Sequence, residues 1–118
     1  MKILVVDDSS VDRHLLTNLL ENLGHAVETY ESTNGVLERL AQKEYELLFL
    51  DIVMPHQDGY KFLRELRANP QTSAQQVVLY SSKGTSLEVK YGLQRSGANH
   101  YMVKPATPEK LESLFATV

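Results

Sequence analysis

Residues Tyr45–Tyr60 read YELLFLDIVMPHQDGY, and this stretch indicates the class of fold. Four successive apolar residues, Leu47–Leu50, lead directly into Asp51. A continuous apolar run of this length is typical of a parallel strand that is covered on both faces. A charge that directly follows such a run either faces water or serves a function, so the ends of the other apolar runs become important.

Strand and helix patterns alternate along the whole chain. The predicted strands are Ile3–Val6, Ala26–Tyr30, Leu47–Leu50, Val77–Tyr80 and His100–Val103. The predicted helices cover about 9–24, 34–42, 59–67, 86–96 and 108–116. Five successive strand–helix units with right-handed crossovers predict an α/β fold, a doubly wound five-stranded parallel sheet with helices on both faces.

Two features of the predicted helices can be checked against a structure. In the first helix, apolar residues recur at every fourth position, and two further leucines lie beside this row. Together they form a stripe that is expected to face the core. The row is Val11, Leu15, Leu19 and Leu23, and the widening pair is Leu16 and Leu20. Small polar residues are expected to cap the helix starts. They are Ser9 or Ser10 for the first helix, Asn34 or Thr33 for the second, and Thr107 followed by Pro108 for the fifth.

The composition narrows the class of protein. The 118 residues, 42% of them hydrophobic, are enough for one core, and we expect a single domain over 1–118 with no effector domain. Twelve Lys and Arg against 15 Asp and Glu give a net charge of -3, which argues against a direct nucleic-acid surface. Cysteine is absent, which excludes disulfides and thiolate metal ligands. The apolar runs are too short for a secretory leader or a membrane span, so the sequence predicts a soluble, cytoplasmic protein without a membrane partner.

Polar or charged residues follow four of the five predicted strands. They are Asp7-Asp8, Asp51, Ser81-Ser82 and Lys104-Pro105. The carboxyl ends of parallel strands meet at one edge of the sheet, where α/β proteins bind ligands. The sequence therefore predicts one site that combines three carboxylates, a hydroxyl and an ammonium group.

The chemistry of this group of residues favours a divalent cation and phosphoryl transfer. Close carboxylates repel one another, and an oxygen-only ligand set that relieves the repulsion suits Mg²⁺, with Mn²⁺ as a substitute. A cation and Lys104 together can neutralise the oxygens of a transferring phosphoryl group. One aspartate can then act as the nucleophile and form an aspartyl phosphate.

Four motifs, in this order and spacing, resemble the receiver domain of two-component response regulators, of the CheY-like type. They are ILVVDD at 3–8, LLFLDIVMPHQDGY at 47–60, VVLYSSK at 77–83 and GANHYMVKP at 97–105. The resemblance covers essentially the whole chain and implies a flavodoxin-like strand order, 2-1-3-4-5. It also implies a signalling switch that is not an enzyme in its own right, since it catalyses only its own phosphorylation and dephosphorylation.

The resemblance assigns the phosphoryl and metal chemistry to particular residues. It implies that Asp51 is the phosphoacceptor and that Lys104 pairs with the phosphoryl group. It implies that Asp8, Asp51 and the backbone carbonyl of Val53 hold Mg²⁺, with Asp7 acting mainly through water. A cis peptide bond between Lys104 and Pro105 is also expected.

The resemblance likewise implies a switch and its partners. Ser81 is the expected switch hydroxyl and Tyr101 the switch aromatic, swinging from solvent to a buried position. One additional residue between Ser81 and Lys104 leaves Ser82 as a second candidate. The expected partners are a sensor histidine kinase or phosphotransfer protein and a downstream target that binds the surface of the fourth helix, fifth strand and fifth helix. The protein is expected to be a monomer or a phosphorylation-dependent dimer, although Asn99 and His100 replace acidic residues that form dimer salt bridges in many DNA-binding regulators.

Three other classes of protein fit parts of the pattern. A haloacid-dehalogenase-like phosphatase needs a second acid two residues after the nucleophile, where this chain has Val53. A flavin-binding flavodoxin needs a phosphate loop after the first strand, where Asp7 and Asp8 would repel phosphate. A pseudo-receiver, which acts only as a binding module, should lack part of the group Asp7, Asp8, Asp51, Ser81 and Lys104, and this chain has every member.

Overall fold

The computed structural model describes residues 1–54 and 57–118, apart from the side chain of Gln57. Pro55 and His56, which belong to the second of the four motifs, lie outside the described residues. In order, the elements are β1 (Lys2–Val6), α1 (Ser10–Asn22), β2 (Ala26–Tyr30), α2 (Val36–Ala41), β3 (Leu47–Leu50), β4 (Val53–Met54), β5 (Gln57–Asp58), α3 (Gly59–Ala68), β6 (Val77–Ser81), α4 (Ser86–Gln94), β7 (His100–Val103) and α5 (Pro108–Phe115). None of the helices in this described part is long and apolar enough to cross a membrane.

The described residues form a five-stranded parallel sheet with the order β2-β1-β3-β6-β7. Because β6 and β7 are the fourth and fifth predicted strands, this confirms the doubly wound fold and the order 2-1-3-4-5. The sequence did not predict the two-residue strands β4 and β5, which pair antiparallel beside the end of β3. Two hydrogen-bonded residues are too few to produce a periodic pattern in a sequence.

The apolar strands separate two cores, one on each face of the sheet. On one face, side chains of β1 and β3 such as Leu4 and Leu50 pack against α2 and α3. On the other face, Phe49 and its neighbours pack against α1 and α5. The three central strands β1, β3 and β6 are therefore buried on both faces, as their continuous apolar runs predict.

The prediction for the buried face of α1 was wrong in part. Leu16 and Leu20 are fully buried, whereas Val11 is 75% exposed, Leu15 38% and Leu23 39%. Four residues turn a helix by more than one full turn, so a row at every fourth position winds away from the face on which it starts. Leu16 and Leu20, which were expected only to widen the row, are buried against the sheet, and Leu19 of the row packs against the same core in a partly buried position.

The capping predictions had mixed outcomes. The side chain of Ser9 accepts a hydrogen bond from the N–H of Asp12, and that of Thr107 accepts one from Lys110, as predicted for α1 and α5. The second helix begins later than expected, at Val36. Its N-cap is Gly35 with a φ of 78°, a left-handed conformation that glycine adopts without strain, so the prediction of Asn34 or Thr33 was wrong.

Candidate functional site

The three predicted metal-binding carboxylates lie together at the carboxyl edge of the sheet. Asp7 and Asp8 follow β1, and Asp51 follows the neighbouring strand β3, where its N–H donates to the carbonyl of Val6 at 2.9 Å. One oxygen of each carboxylate lies within 4.8 Å of the others. Asp7 and Asp51 are buried and Asp8 is exposed, so this group has one side open to solvent.

Asp51 lies in an electrostatic environment that disfavours its charge. Burial and the nearby charge of Asp7 raise the pKa of Asp51 to about 7, although Lys104 and the N–H of Val53 act in the opposite direction. The Val53 N–H donates to Asp51 Oδ1 at 3.1 Å. Two buried carboxylates this close together need additional positive charge if both are to ionise.

The ligand set fits a small divalent cation. Asp7, Asp8 and Asp51 would hold it, because their oxygens already converge and all-oxygen ligands with a side open to water suit Mg²⁺ or Mn²⁺. The part of Val53 in metal binding and the water-mediated part of Asp7 stay predictions. Val53 follows Asp51 closely in β4, with its side chain 53% exposed, and so lies next to the same edge.

Lys104 enters the site from the end of β7. Its backbone N–H donates to the carbonyl of Ser81 at 2.8 Å, and the peptide bond to Pro105 is cis, as predicted. The ammonium group lies 2.9 Å from Asp7 Oδ2 and 3.6 Å from Asp51 Oδ2. Burial disfavours its charge, but contacts with Asp12 and Asp7 and the charge of Asp51 outweigh burial and raise the pKa of Lys104 above its ordinary value.

Gly59, at the start of α3, shapes this edge of the sheet and was not predicted from the sequence. A Cβ atom there would lie 2.7 Å from the Cα atom of Ile52 and 2.9 Å from the carbonyl oxygen of Asp51. Only a residue without a side chain lets α3 begin this close to the end of β3. The side chain of Asp58 caps the same helix by accepting from the N–H of Tyr60 at 3.0 Å. The pair Asp-Gly was a signal that could have identified this junction.

The candidate switch residues occupy neighbouring positions. Ser81 ends β6 and is fully buried, whereas Ser82 is exposed, which favours Ser81 as the hydroxyl that faces the interior. The Ser81 hydroxyl accepts from the N–H of Lys83 at 3.1 Å. Tyr101 is half-buried, and its hydroxyl donates to the carbonyl of the same Lys83 at 2.6 Å. The loop after β6 therefore connects the two residues.

Gly92 in α4 provides the space that the Tyr101 ring occupies. A Cβ atom at position 92 would lie 2.7 Å from the ring, which no ordinary contact allows. No role was predicted for Gly92, although an isolated glycine within a helix pattern is a signal for close packing. The ring also packs against the core on the α2 and α3 face, so Tyr101 is already partly inside the protein in this structure.

The fold and the site agree with the similarity of this chain to known proteins. The family model for the response regulator receiver domain matches residues 3–116, so the chain belongs to this family. It is 34% identical over 110 residues to the protein PilH of Pseudomonas aeruginosa, covering 93% of this chain and 90% of that protein. It is 36% identical to a chemotaxis protein CheY homolog of Campylobacter jejuni, covering 99% of this chain and 94% of the homolog.

A solved structure supports the same assignment. Chemotaxis protein CheY4 of Vibrio cholerae superimposes with a TM-score of 0.85 at 25% identity, covering 99% of this chain and 98% of that chain. The protein is therefore a CheY-like receiver domain of the two-component type. Domains of this family are signalling proteins that interact with histidine kinases and downstream targets.

Proposed function

We propose that this protein is a phosphorylation switch in which Asp51 receives a phosphoryl group. The donor would be a sensor histidine kinase, a phosphotransfer protein or a small acyl phosphate. The observation that carries the proposal is the position of Asp51, a buried carboxylate that converges with Asp7 and Asp8 and lies 3.6 Å from the ammonium group of Lys104. A buried carboxylate close to other acids and to a cation is weak evidence for a role in stability, and it is suited to act as a phosphoacceptor.

The chemistry follows from the charges around Asp51. The carboxylate attacks phosphorus, the bond from phosphorus to the histidine nitrogen or acyl oxygen of the donor breaks, and the donor keeps the electron pair. A divalent cation on Asp7, Asp8 and Asp51 would supply positive charge to the carboxylates and to the phosphoryl oxygens. Lys104 would contribute a second positive charge to the phosphoryl oxygens. Water later attacks phosphorus, the bond from phosphorus to the Asp51 oxygen breaks, and inorganic phosphate leaves the free carboxylate.

The proposed response runs through Ser81 and Tyr101. The new phosphoryl group brings about two negative charges and three acceptor oxygens to the end of β3, and Ser81 would donate a hydrogen bond to one of them. The Ser81 hydroxyl can donate to the phosphoryl group while it accepts from the Lys83 N–H, so its movement toward Asp51 would draw along the loop whose Lys83 carbonyl accepts from Tyr101. Tyr101 would then move fully inward, which changes the surface formed by α4, β7 and α5 for a downstream protein or a second copy.

Intact-mass measurement tests the proposed function directly. With Mg²⁺ and acetyl phosphate, the wild-type protein should gain the mass of one phosphoryl group. The Asp51→Asn variant should gain none, and an exposed-carboxylate control, Glu112→Gln, should behave as the wild type. Full phosphorylation of Asp51→Asn would refute the assignment, and a wild-type protein that never gains the mass would favour the pseudo-receiver alternative.

A further inference from the structure

The ammonium group of Lys104 makes its shortest contact with an aspartate that the proposed mechanism does not use. Its Nζ atom lies 2.8 Å from Oδ2 of Asp12, compared with 2.9 Å to Asp7 and 3.6 Å to Asp51. Asp12 belongs to the first turn of α1, 92 positions before Lys104. The phosphoacceptor is therefore the most distant of three carboxylates that share one cation.

The local structure of α1 leaves the Asp12 side chain available for this contact. Ser9 caps the helix, and in a capping box its N–H would bind an acidic side chain three residues later. Here the Ser9 N–H donates instead to Asp7 Oδ1 at 2.9 Å, while the Ser9 hydroxyl accepts from the Asp12 N–H. The carboxylate of Asp12 is thus directed at Lys104 rather than at the helix end.

Burial separates Asp12 from the other two carboxylates. Its side chain is 32% exposed, whereas those of Asp7 and Asp51 are 1% and 5% exposed. An exposed carboxylate regains water when its ion pair breaks, so its contact with Lys104 costs the least to give up. Asp7 and Asp51 have no comparable access to water.

Lys104 can change partners only by moving its side chain. Its backbone is held by the hydrogen bond to Ser81, and its ammonium group lies 5.0 Å from the centre of the Tyr80 ring. A phosphoryl group on Asp51 would bring about two negative charges and three acceptor oxygens to a carboxylate that lies 3.6 Å from this ammonium group. The phosphoryl group and Asp12 therefore compete for one cation.

We propose that Asp12 is a positioning residue that holds Lys104 away from Asp51 in the unphosphorylated protein and releases it when the phosphoryl group binds. This rests on the proposed function of Asp51. Asp12 weakens the binding of a phosphoryl group, and its release connects the first turn of α1 to the state of Asp51. The contact thus sets how readily the switch is turned on.

Beryllofluoride with Mg²⁺ stands in for the phosphoryl group and measures this competition. Fluorine NMR titration should show that Asp12→Asn binds beryllofluoride roughly fivefold more tightly than the wild type, the scale of a partly exposed ion pair. Asp12→Glu, which keeps the carboxylate, should return to within about twofold of the wild type. Equal or weaker binding by Asp12→Asn would overturn the proposal.

Removal of any nearby negative charge would also strengthen the binding of the beryllofluoride anion. Asp12→Asn therefore needs a control variant that removes a different negative charge. Glu88 lines a cavity together with Ile52 and Val53, the two residues that follow Asp51, and Glu88→Gln removes one charge there while keeping the oxygen that accepts from Thr85. Glu88→Gln should change the affinity by less than about twofold. A gain as large as that of Asp12→Asn would show a general charge effect and contradict the role of Asp12.

The Lys104 side chain gives a second, independent measurement. Its ε-methylene NMR signals should differ between the wild type and Asp12→Asn in the free proteins, and coincide in the beryllofluoride complexes because Asp12 has then released Lys104. A difference that persists unchanged in the complexes would overturn the proposal. Failure of the wild type to bind beryllofluoride at all would instead refute the proposed function of Asp51.

Discussion

Replacing Asp51 with asparagine should stabilise the metal-free protein at neutral and alkaline pH. The folded protein raises the pKa of Asp51 from 3.8 to about 7, because the site is buried and Asp7 lies nearby. The fold therefore favours the protonated carboxyl group. The stability that this group contributes is fully present below about pH 4 and is lost as the pH rises through about 7. Asparagine keeps the oxygen that accepts from the Val53 N–H and carries no charge at any pH.

The size of the effect follows from the pKa difference. The two pKa values differ by about 3 pH units, and each is worth about 1.4 kcal/mol, so ionised Asp51 costs the fold about 4 kcal/mol at most. Water that reaches the site past the exposed Asp8 screens part of this cost, so we expect about 2 kcal/mol. Asp51→Asn and the wild type should be equally stable at about pH 4 and differ by this amount at about pH 8.

Urea unfolding followed by circular dichroism, with a chelator present, measures the free energy of unfolding of the wild type and of Asp51→Asn at each pH. If the wild type binds Mg²⁺ with a dissociation constant on the order of 1 mM, roughly 10 mM Mg²⁺ should raise its free energy of unfolding by about 1.4 kcal/mol. The same addition should stabilise Asp51→Asn little. The control Glu112→Gln should follow the wild type at every pH. Parallel stability curves for Asp51→Asn and the wild type between about pH 4 and 8 would refute the electrostatic reasoning.

Three further variants test other parts of the site. Asp8→Asn should weaken Mg²⁺ binding roughly tenfold in amide NMR titrations, because it removes the negative charge of a candidate ligand, and an unchanged affinity would exclude that role. Lys104→Ala should fold and slow phosphorylation by acetyl phosphate on the order of a hundredfold in time-resolved mass measurements, whereas a wild-type rate would contradict its function. Gly92→Ala should push the Tyr101 ring outward, since the added methyl group would lie 2.7 Å from it. Ring and Lys83 amide signals identical to those of the wild type would show that the ring does not depend on this space.

Much of the fold could be predicted from local patterns. The apolar runs of β1, β3 and β6 match the observed strands to within one residue, because strands covered on both faces need a continuous apolar sequence. Once strands and helices alternate, the handedness of the crossovers leaves few possible topologies. The convergence of Asp7, Asp8 and Asp51 was predictable for the same reason, since parallel strands bring their carboxyl ends to one edge.

Side-chain environments that depend on packing could not be predicted. The apolar positions of α1 cover a wide stripe, and the sequence does not state which part of it, the row at every fourth position or the pair Leu16 and Leu20, meets the sheet. The space beneath Tyr101 comes from Gly92 on a neighbouring helix, and the sequence does not state how closely α4 approaches β7. In both cases the outcome depends on how neighbouring elements pack, which the pattern within one element does not determine.

At the site itself, the sequence predicted where Lys104 lies, whereas only the tertiary structure decided which carboxylates it contacts. Its position after the last strand places it at the edge that holds Asp51, and the sequence was sufficient to predict this. The choice among Asp7, Asp12 and Asp51 required the tertiary structure, because those side chains compete over differences of less than 1 Å. Ion-pair energies depend on such distances and on burial, and both arise only when segments far apart in the chain pack together.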